Sequence, residues 1–414
     1  MNDVKSRQST VLLTLSAAFE YYDFVVYALM AGYLGALFFP GNDPLVAQIQ
    51  VFSVFALGYV IRPLGGMLIG MLGDLTNRKA VFIRSNFILA IATLTISVLP
   101  TYNQIGMIAT IILILLRMVQ SLCFAAELPG AMSLIQAVSD KPAKSFSFII
   151  SGTALGTILA TATLFWLESN FDNQEILDYA WRLPFIIGSL LCFVSILMRL
   201  KLPEFTQVKA KNKAELIKNI LPQYRNIITS VLVIALPAYL IIMNLFFPSF
   251  LPKLYGYQTI DIYMGISVSI FWAIIYAPIF ASITSSISKI ILLKITVALG
   301  IFLGLLVNFL LLRGGIVNLL FALCIYQSLI CSLMVTIFPL MAEIFPSKLG
   351  FTLMAVCYNV AYSIMAFAPA LVISLANSWQ TPFSLWLIMI LLSIFILANM
   401  SGLTVEGNKN LNND

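Results

Sequence analysis

The chain of 414 residues contains no histidine. That absence excludes histidine proton relays, histidine metal ligands and Ser–His or Cys–His catalysis. Charged side chains make up only 10% of the residues, against roughly a quarter in a soluble domain. The five cysteines, Cys123, Cys192, Cys324, Cys331 and Cys357, all fall within apolar stretches and show no metal-site spacing. They read as packing groups, and neither a metal nor a cofactor is expected. The first apolar run is too long for a signal peptide and no small-residue cleavage site follows it, so no cleaved leader is expected. Basic residues outnumber acidic ones by 23 to 17. They sit mostly in short connections between apolar runs, which marks them as topology signals and argues against a nucleic-acid partner.

What the chain has in abundance is hydrocarbon: 61% of its residues are hydrophobic. A membrane-spanning helix needs about 20 apolar residues. Runs of that kind cover Leu12–Phe38, Gln48–Gly73, Val81–Leu99, Ile105–Leu128, Phe146–Leu167 and Trp181–Leu200. They resume at Ile227–Leu251, Ile262–Ser286, Ile290–Leu312, Ile316–Ala342, Leu349–Ala376 and Pro382–Leu403. The expectation is an all-α integral membrane protein of twelve transmembrane helices in two six-helix bundles, residues 1–200 and 226–414. A cytoplasmic linker, 201–225, carries Lys201, Lys209, Lys211, Lys213 and Lys218. Connections on the side of the N-terminus hold most of the remaining Lys and Arg. The opposite fifth connection is acidic, with Glu168, Asp172, Glu175 and Asp178. Both termini are therefore expected in the cytoplasm. The halves echo each other: Ala126-Glu127-Leu128-Pro129 closes the fourth run, Ala342-Glu343-Ile344-Phe345-Pro346 closes the tenth, and Pro63 and Pro278 fall at nearly the same offset. Such echoes are what parallel repeats leave in a sequence.

Against this background a few ionisable residues stand out, because a charge inside a bilayer costs several kcal/mol even on lenient scales. Glu20 and Asp23, both candidates for the proton-coupling acid with Arg117, share one face of the first helix, three residues apart. At about 1.5 Å per residue Asp23 and Arg117 each lie about 18 Å into their spans, near the midplane. A carboxylate and a guanidinium at matched depth read as a pair that opens on protonation, releasing Arg117 toward a substrate anion. The plainer alternative is a permanent structural ion pair. Arg62 and Glu127 lie nearer the cytoplasm and read as an inner gate pair, Glu127 alternatively meeting headgroup water. Asp74, Arg78 and Lys79 follow Gly70 and Gly73 in a loop of gate or anchor character. Substrate-cavity candidates are Gln120, Tyr27, Tyr239 and Tyr358, with Asn244, Gln327 and Asn359 as amides that need partners inside apolar spans.

These residues also carry a resemblance. Phe19-Glu20-Tyr21-Tyr22-Asp23-Phe24, Arg62-Pro63-Leu64-Gly65-Gly66 and the Gly70–Lys79 loop resemble the metabolite:proton symporters of the major facilitator superfamily. The likeness continues through Arg117-Met118-Val119-Gln120, Ala126-Glu127, Trp181-Arg182-Leu183-Pro184-Phe185, Ala342-Glu343-Ile344-Phe345-Pro346 and Tyr358-Asn359. It implies a carrier of proline and betaine, α-ketoglutarate, shikimate or citrate-like acids together with protons. By the same resemblance Asp23 is the proton-sensitive carboxylate, Arg117 its partner, and Asp74 and Arg78 parts of a cytoplasmic gate with Glu343. Asn77 departs from the family's glycine before the basic pair, and the loop Ala281–Lys289 has no acid.

The implied function is secondary transport of a small polar metabolite, a carboxylate or zwitterion, by proton-coupled alternating access in the inner membrane. Its partners would be substrate, protons and the bilayer, acting on a monomer. Transport of a polycarboxylate siderophore and export of a hydrophilic compound are the alternatives. A membrane enzyme or receptor is disfavoured, because no acid–base or metal cluster gathers at a membrane face.

Overall fold

Inside a bilayer no water is available to backbone N–H and C=O groups, so an apolar chain closes its hydrogen bonds within helices. A computed structural model of the chain describes residues 2–39, 44–203, 212–379 and 383–400. Among the described residues every long element is α-helical. The chain runs through α1 (Asn2–Leu29), α2 (Ala31–Phe38), α3 (Pro44–Leu75), α4 (Arg78–Ser97), a short α5 (Tyr102–Ile105) and α6 (Met107–Phe124). Next come α7 (Glu127–Val138), α8 (Pro142–Asn170), a single turn α9 (Asn173–Glu175) and α10 (Arg182–Leu200). The second series is α11 (Lys213–Ile220), α12 (Tyr224–Tyr255), α13 (Thr259–Ile283), α14 (Lys289–Arg313) and α15 (Ile316–Ile344). It ends with α16 (Gly350–Met365), α17 (Ala368–Trp379) and α18 (Ser384–Asn399). Lys209, Lys211, Pro382 and Leu403 lie outside the described residues.

Nine helices among the described residues are long and apolar enough to cross a membrane. Together with α3 and the shorter apolar helices α16–α17 and α18 they make the twelve spans expected. The first, fourth and eleventh runs are each divided rather than continuous. In the fourth and eleventh the reason is proline: Pro129 and Pro369 sit in the first turns of α7 and α17, where a missing N–H is tolerated. This corrects the expected end of the fourth run. The span does not close at Glu127 but continues through α7 to Val138, which leaves Glu127 deep in the bundle. Glu343, its sequence echo, lies at the true end of α15.

In the N-terminal bundle α1 packs on α8 and α10, and α4 packs on α6 and α10. In the C-terminal bundle α15 packs on α13 and α14, and α18 on α12 and α14. The bundles meet mainly where α3 lies against α16 and α8 against α13. Both contacts use one device. A proline inside a helix leaves the carbonyl four residues earlier without its donor. Pro63 frees the carbonyl of Tyr59, and Ser363 on α16 donates its hydroxyl to it. Pro278 frees that of Ile274, and Ser151 on α8 donates to it at 2.9 Å. Pro129 frees Ala125, which takes the side-chain amide of Asn359 at 2.7 Å. Pro346 leaves Ala342 to the amide of Gln136 at 2.7 Å. Four backbone vacancies, two on each bundle, are thus filled by side chains of the opposite bundle.

The same face is sealed by close backbone approach. A Cβ on Gly66 would lie 2.9 Å from the Ala355 carbonyl oxygen, and one on Gly70 would lie 2.7 Å from the Thr352 Cα. Spacing of four residues puts both glycines on one face of α3, where they let α16 in. Replacing Gly70 with leucine should destabilise this packed state by about 1–3 kcal/mol, the usual cost of overpacking. A lowered thermal midpoint in a size-exclusion stability assay is the expected result; an unchanged midpoint would count against the contact.

Candidate functional site

In the last two turns of α1, Asp23 is 3% exposed and points between α4 and α6. Its Oδ1 accepts from the Thr93 hydroxyl at 2.8 Å and its Oδ2 from the Gln120 side-chain nitrogen at 3.2 Å. The Gln120 amide also donates to Thr93 at 2.7 Å, and its oxygen accepts from the Arg117 guanidinium at 2.8 Å. Helix spacing explains the relay: Arg117 and Gln120 are three residues apart and share one face of α6. Asp23 and Arg117 are therefore linked through Gln120, and the guanidinium lies 3.7 Å from the centroid of the Tyr27 ring.

Arg62 belongs to this same site. It was expected in a gate pair with Glu127; the structure puts it beside Asp23 instead. It is 2% exposed and has no carboxylate partner among the described residues. Its guanidinium carbon stands 4.3 Å from the Tyr59 centroid and 4.8 Å from those of both Phe24 and Phe124. Three aromatic faces thus substitute for a counter-ion, through the negative potential of their rings. Tyr362 of α16 stacks on Tyr59 at 6.1 Å and Tyr358 packs on Tyr362 at 4.5 Å, so the cage rests on both bundles. Asp23, Arg62, Arg117, Gln120 and Phe124 line a cavity of about 10 Å³, room for roughly one water.

Glu127 lies elsewhere. Arg199, at the end of α10, bonds through one guanidinium nitrogen to Oε1 of Glu20 and to Oε1 of Glu127. Its other nitrogen donates to the Phe82 carbonyl at 3.1 Å, and the Phe82 ring lies 3.6 Å below. Arg199 was not singled out in the sequence, because an arginine in the last turn before Lys201 looks like any topology-setting charge. Its cue was the uninterrupted apolar run around it.

At the end of α3, Asp74 and Arg78 of the expected gate come together. Asp74 Oδ2 accepts from the Thr352 backbone N–H at 2.8 Å and from its hydroxyl at 2.7 Å. Leu349, the N-cap residue of α16, offers no side-chain cap, so Asp74 caps that helix from the other bundle. Arg78 donates to Asp74 Oδ1 at 3.0 Å through Nε and reaches the Ser347 carbonyl. Asn77, the departure from the family loop, caps α4 by accepting from Ala80 N–H at 3.0 Å. Glu343 pairs with Lys289 at 2.5 Å inside the C-terminal bundle.

The C-terminal candidates divide. Asn244 donates to Gln327 at 3.1 Å, both half-buried between α12 and α15. The Asn359 amide nitrogen donates to the Ala125 and Ala355 carbonyls, and Tyr239 donates to the Leu385 carbonyl at 2.5 Å, so each of these candidates also fastens one helix to another.

The model of the Major Facilitator Superfamily matches residues 10–364. The chain belongs to that superfamily. A "Putative proline/betaine transporter" of Staphylococcus haemolyticus is 36% identical over 208 residues, 49% of this chain and 44% of the relative. The Escherichia coli K12 proline/betaine transporter is 32% identical over 206 residues, 49% of this chain and 41% of the relative. The matched stretch is thus less than half the length of these relatives. Among solved structures, the proton:xylose symporter XylE bound to 6-bromo-6-deoxy-D-glucose superposes with a TM-score of 0.78. The identity is 14%, over 98% of both chains. The human organic anion transporter MFSD10 gives 0.71 at 12% identity, over 96% of this chain and 99% of that one. At such identities the likeness is one of fold. Superfamily membership makes the chain a multi-pass membrane transporter and not an enzyme.

Replacing Asp74 with alanine removes the borrowed cap of α16 and leaves Arg78 facing an empty site. Breaking a buried pair costs about 3–5 kcal/mol. Spin labels at Thr76 and Lys348 should then report a new, longer-distance population; an unaltered distribution would deny the contact its role.

Proposed function

We propose that the chain is a proton-coupled transporter of a small carboxylate-bearing metabolite, with a zwitterion of the proline or betaine kind as first choice. The observation that carries this reading is the charge count at the Asp23 cavity. Two guanidiniums, Arg62 and Arg117, face one carboxylate. The other two intramembrane acids, Glu20 and Glu127, are taken up by Arg199 and do not contribute. The cavity is therefore an anion acceptor with one excess positive charge. The aromatic faces around Arg62 suit the cationic end of a zwitterion, as they suit the guanidinium that now occupies them. The names of the relatives support the same class of solute.

Coupling follows from electrostatics. A substrate carboxylate on Arg62 and Arg117 would sit near Asp23, and two like charges about 6 Å apart at an effective dielectric of about 20 repel by roughly 3 kcal/mol. Protonating Asp23 removes that repulsion and also loosens its hold on the Gln120 relay. Anion binding and proton binding thus favour each other, and by linkage the preference is reciprocal. Carboxylate affinity falls as pH rises and Asp23 ionises. In this reading the Asp74 latch is the inner gate, both termini are cytoplasmic, the membrane is the inner one, and a monomer suffices.

Proteoliposomes loaded at alkaline pH and offered labelled proline, glycine betaine, α-ketoglutarate and citrate test the assignment. Accumulation of a carboxylate solute that collapses with the pH gradient is expected; no gradient-driven uptake of any of them would overturn it. Asp23→Asn should abolish accumulation while binding at neutral pH tightens by up to about 100-fold, the factor that roughly 3 kcal/mol represents. Arg62→Gln and Arg117→Lys should each weaken binding at least tenfold, the lysine because a point charge does not reproduce a bidentate fork. Wild-type affinity in both arginine variants would remove the anion-acceptor reading.

A further inference from the structure

Glu20, Glu127 and Arg199 take no part in the Asp23 cavity, yet they bury three ionisable groups within the N-terminal bundle. We propose that Glu20 and Glu127 share one proton across Arg199, which makes the triad a proton-binding site in its own right. That it is a second site rests on the reading of Asp23 as the coupling acid; that it holds a proton does not.

The two carboxyl groups converge on a single guanidinium nitrogen, and they lie within hydrogen-bonding reach of each other. Side-chain exposure is 0% for Glu20, 0% for Arg199 and 6% for Glu127. Two ionised acids against one arginine would leave a net negative charge in a low-dielectric interior, at a cost of several kcal/mol. Among the described residues the surroundings offer no second cation. On α10 the neighbours are Ser195, which donates to Glu20 at 2.8 Å, and the Cys192 thiol. On α4 they are Asn86, bonded to Ser195 at 2.9 Å, and the Phe82 ring and carbonyl. On α7 the charged neighbour is Glu127 itself, and on α1 the next is Asp23, a further acid. Lys79 gives its ammonium to the Leu202 carbonyl at 2.5 Å, Arg78 is held by Asp74, and Arg84 is exposed.

One proton resolves the imbalance. Glu20 Oε2 has no hydrogen-bond partner among the described residues. A proton carried between the two acids turns a repelling pair into an acid–carboxylate hydrogen bond and leaves one ionised group for Arg199. The position of the pair is also defined: Glu20 precedes Asp23 by three residues, about 4.5 Å along α1 toward the end closed by Asp74.

Infrared spectroscopy of the purified full-length protein in lipid at neutral pH tests this without any transport substrate. A carbonyl stretch from a protonated carboxyl group is expected, shifted when the protein carries carbon-13 glutamate and retained in Asp23→Asn. It should vanish in Glu20→Gln and equally in Glu127→Gln, because the remaining glutamate then faces Arg199 alone and ionises. A band that survives either glutamine substitution, or a wild-type band unmoved by labelled glutamate, overturns the proposal. The labelling arm needs no variant, so a glutamine substitution that fails to fold leaves the test decisive. Failure of gradient-driven uptake would bear on the Asp23 reading alone, and absence of the glutamate band on the triad alone.

Discussion

In hydrocarbon no backbone group goes unbonded without a cost of several kcal/mol, and this protein turns that constraint into its principal inter-bundle joint. Each of the carbonyls of Tyr59, Ala125, Ile274 and Ala342 is deprived of its helical donor by a proline four residues on, and each is satisfied by a side chain from the opposite bundle. The arrangement is nearly symmetric, with α16 serving α3 as α8 serves α13. These bonds have a property useful in a rocking protein. Each is a single neutral hydrogen bond between rigid helices, and it can be exchanged for water when that end of the molecule opens. The joint holds one state without making it permanent.

Charge is distributed on a different principle. The ionisable groups of the N-terminal bundle separate into three sets at three depths: the cavity of Asp23, Arg62 and Arg117, the triad of Glu20, Glu127 and Arg199, and the latch of Asp74 and Arg78. The latch crosses to the other bundle through direct hydrogen bonds, because Asp74 caps a helix it does not belong to. In the C-terminal bundle the corresponding loop has no acid, and the charged contact at that end, Lys289 with Glu343, stays within the bundle. The charged contacts at this end are accordingly asymmetric even though the proline joint is not. An Asp–helix latch responds to charge and to local water, whereas a serine–carbonyl bond does not.

Composition and apolar run lengths alone settled that the protein is helical, spans a membrane about twelve times and keeps a small set of midplane charges. They do so because the bilayer imposes a length and a polarity on every segment independently of its neighbours. The matching depth of Asp23 and Arg117 in the first and fourth spans was legible for the same reason, since depth along a helix follows from residue count, whereas the Gln120 amide that stands between them was not. Which charge faces which was not. Arg62 and Glu127 lie at depths that invite a pair, yet rotation about the helix axes sends one into an aromatic cage and the other to Arg199. Asn359 and Tyr239 looked like cavity groups, and only the neighbouring helices revealed that they meet backbone carbonyls. A sequence fixes how far along its helix a side chain sits, while helix packing decides what lies opposite it, and the chemistry of this site depends on the second as much as on the first.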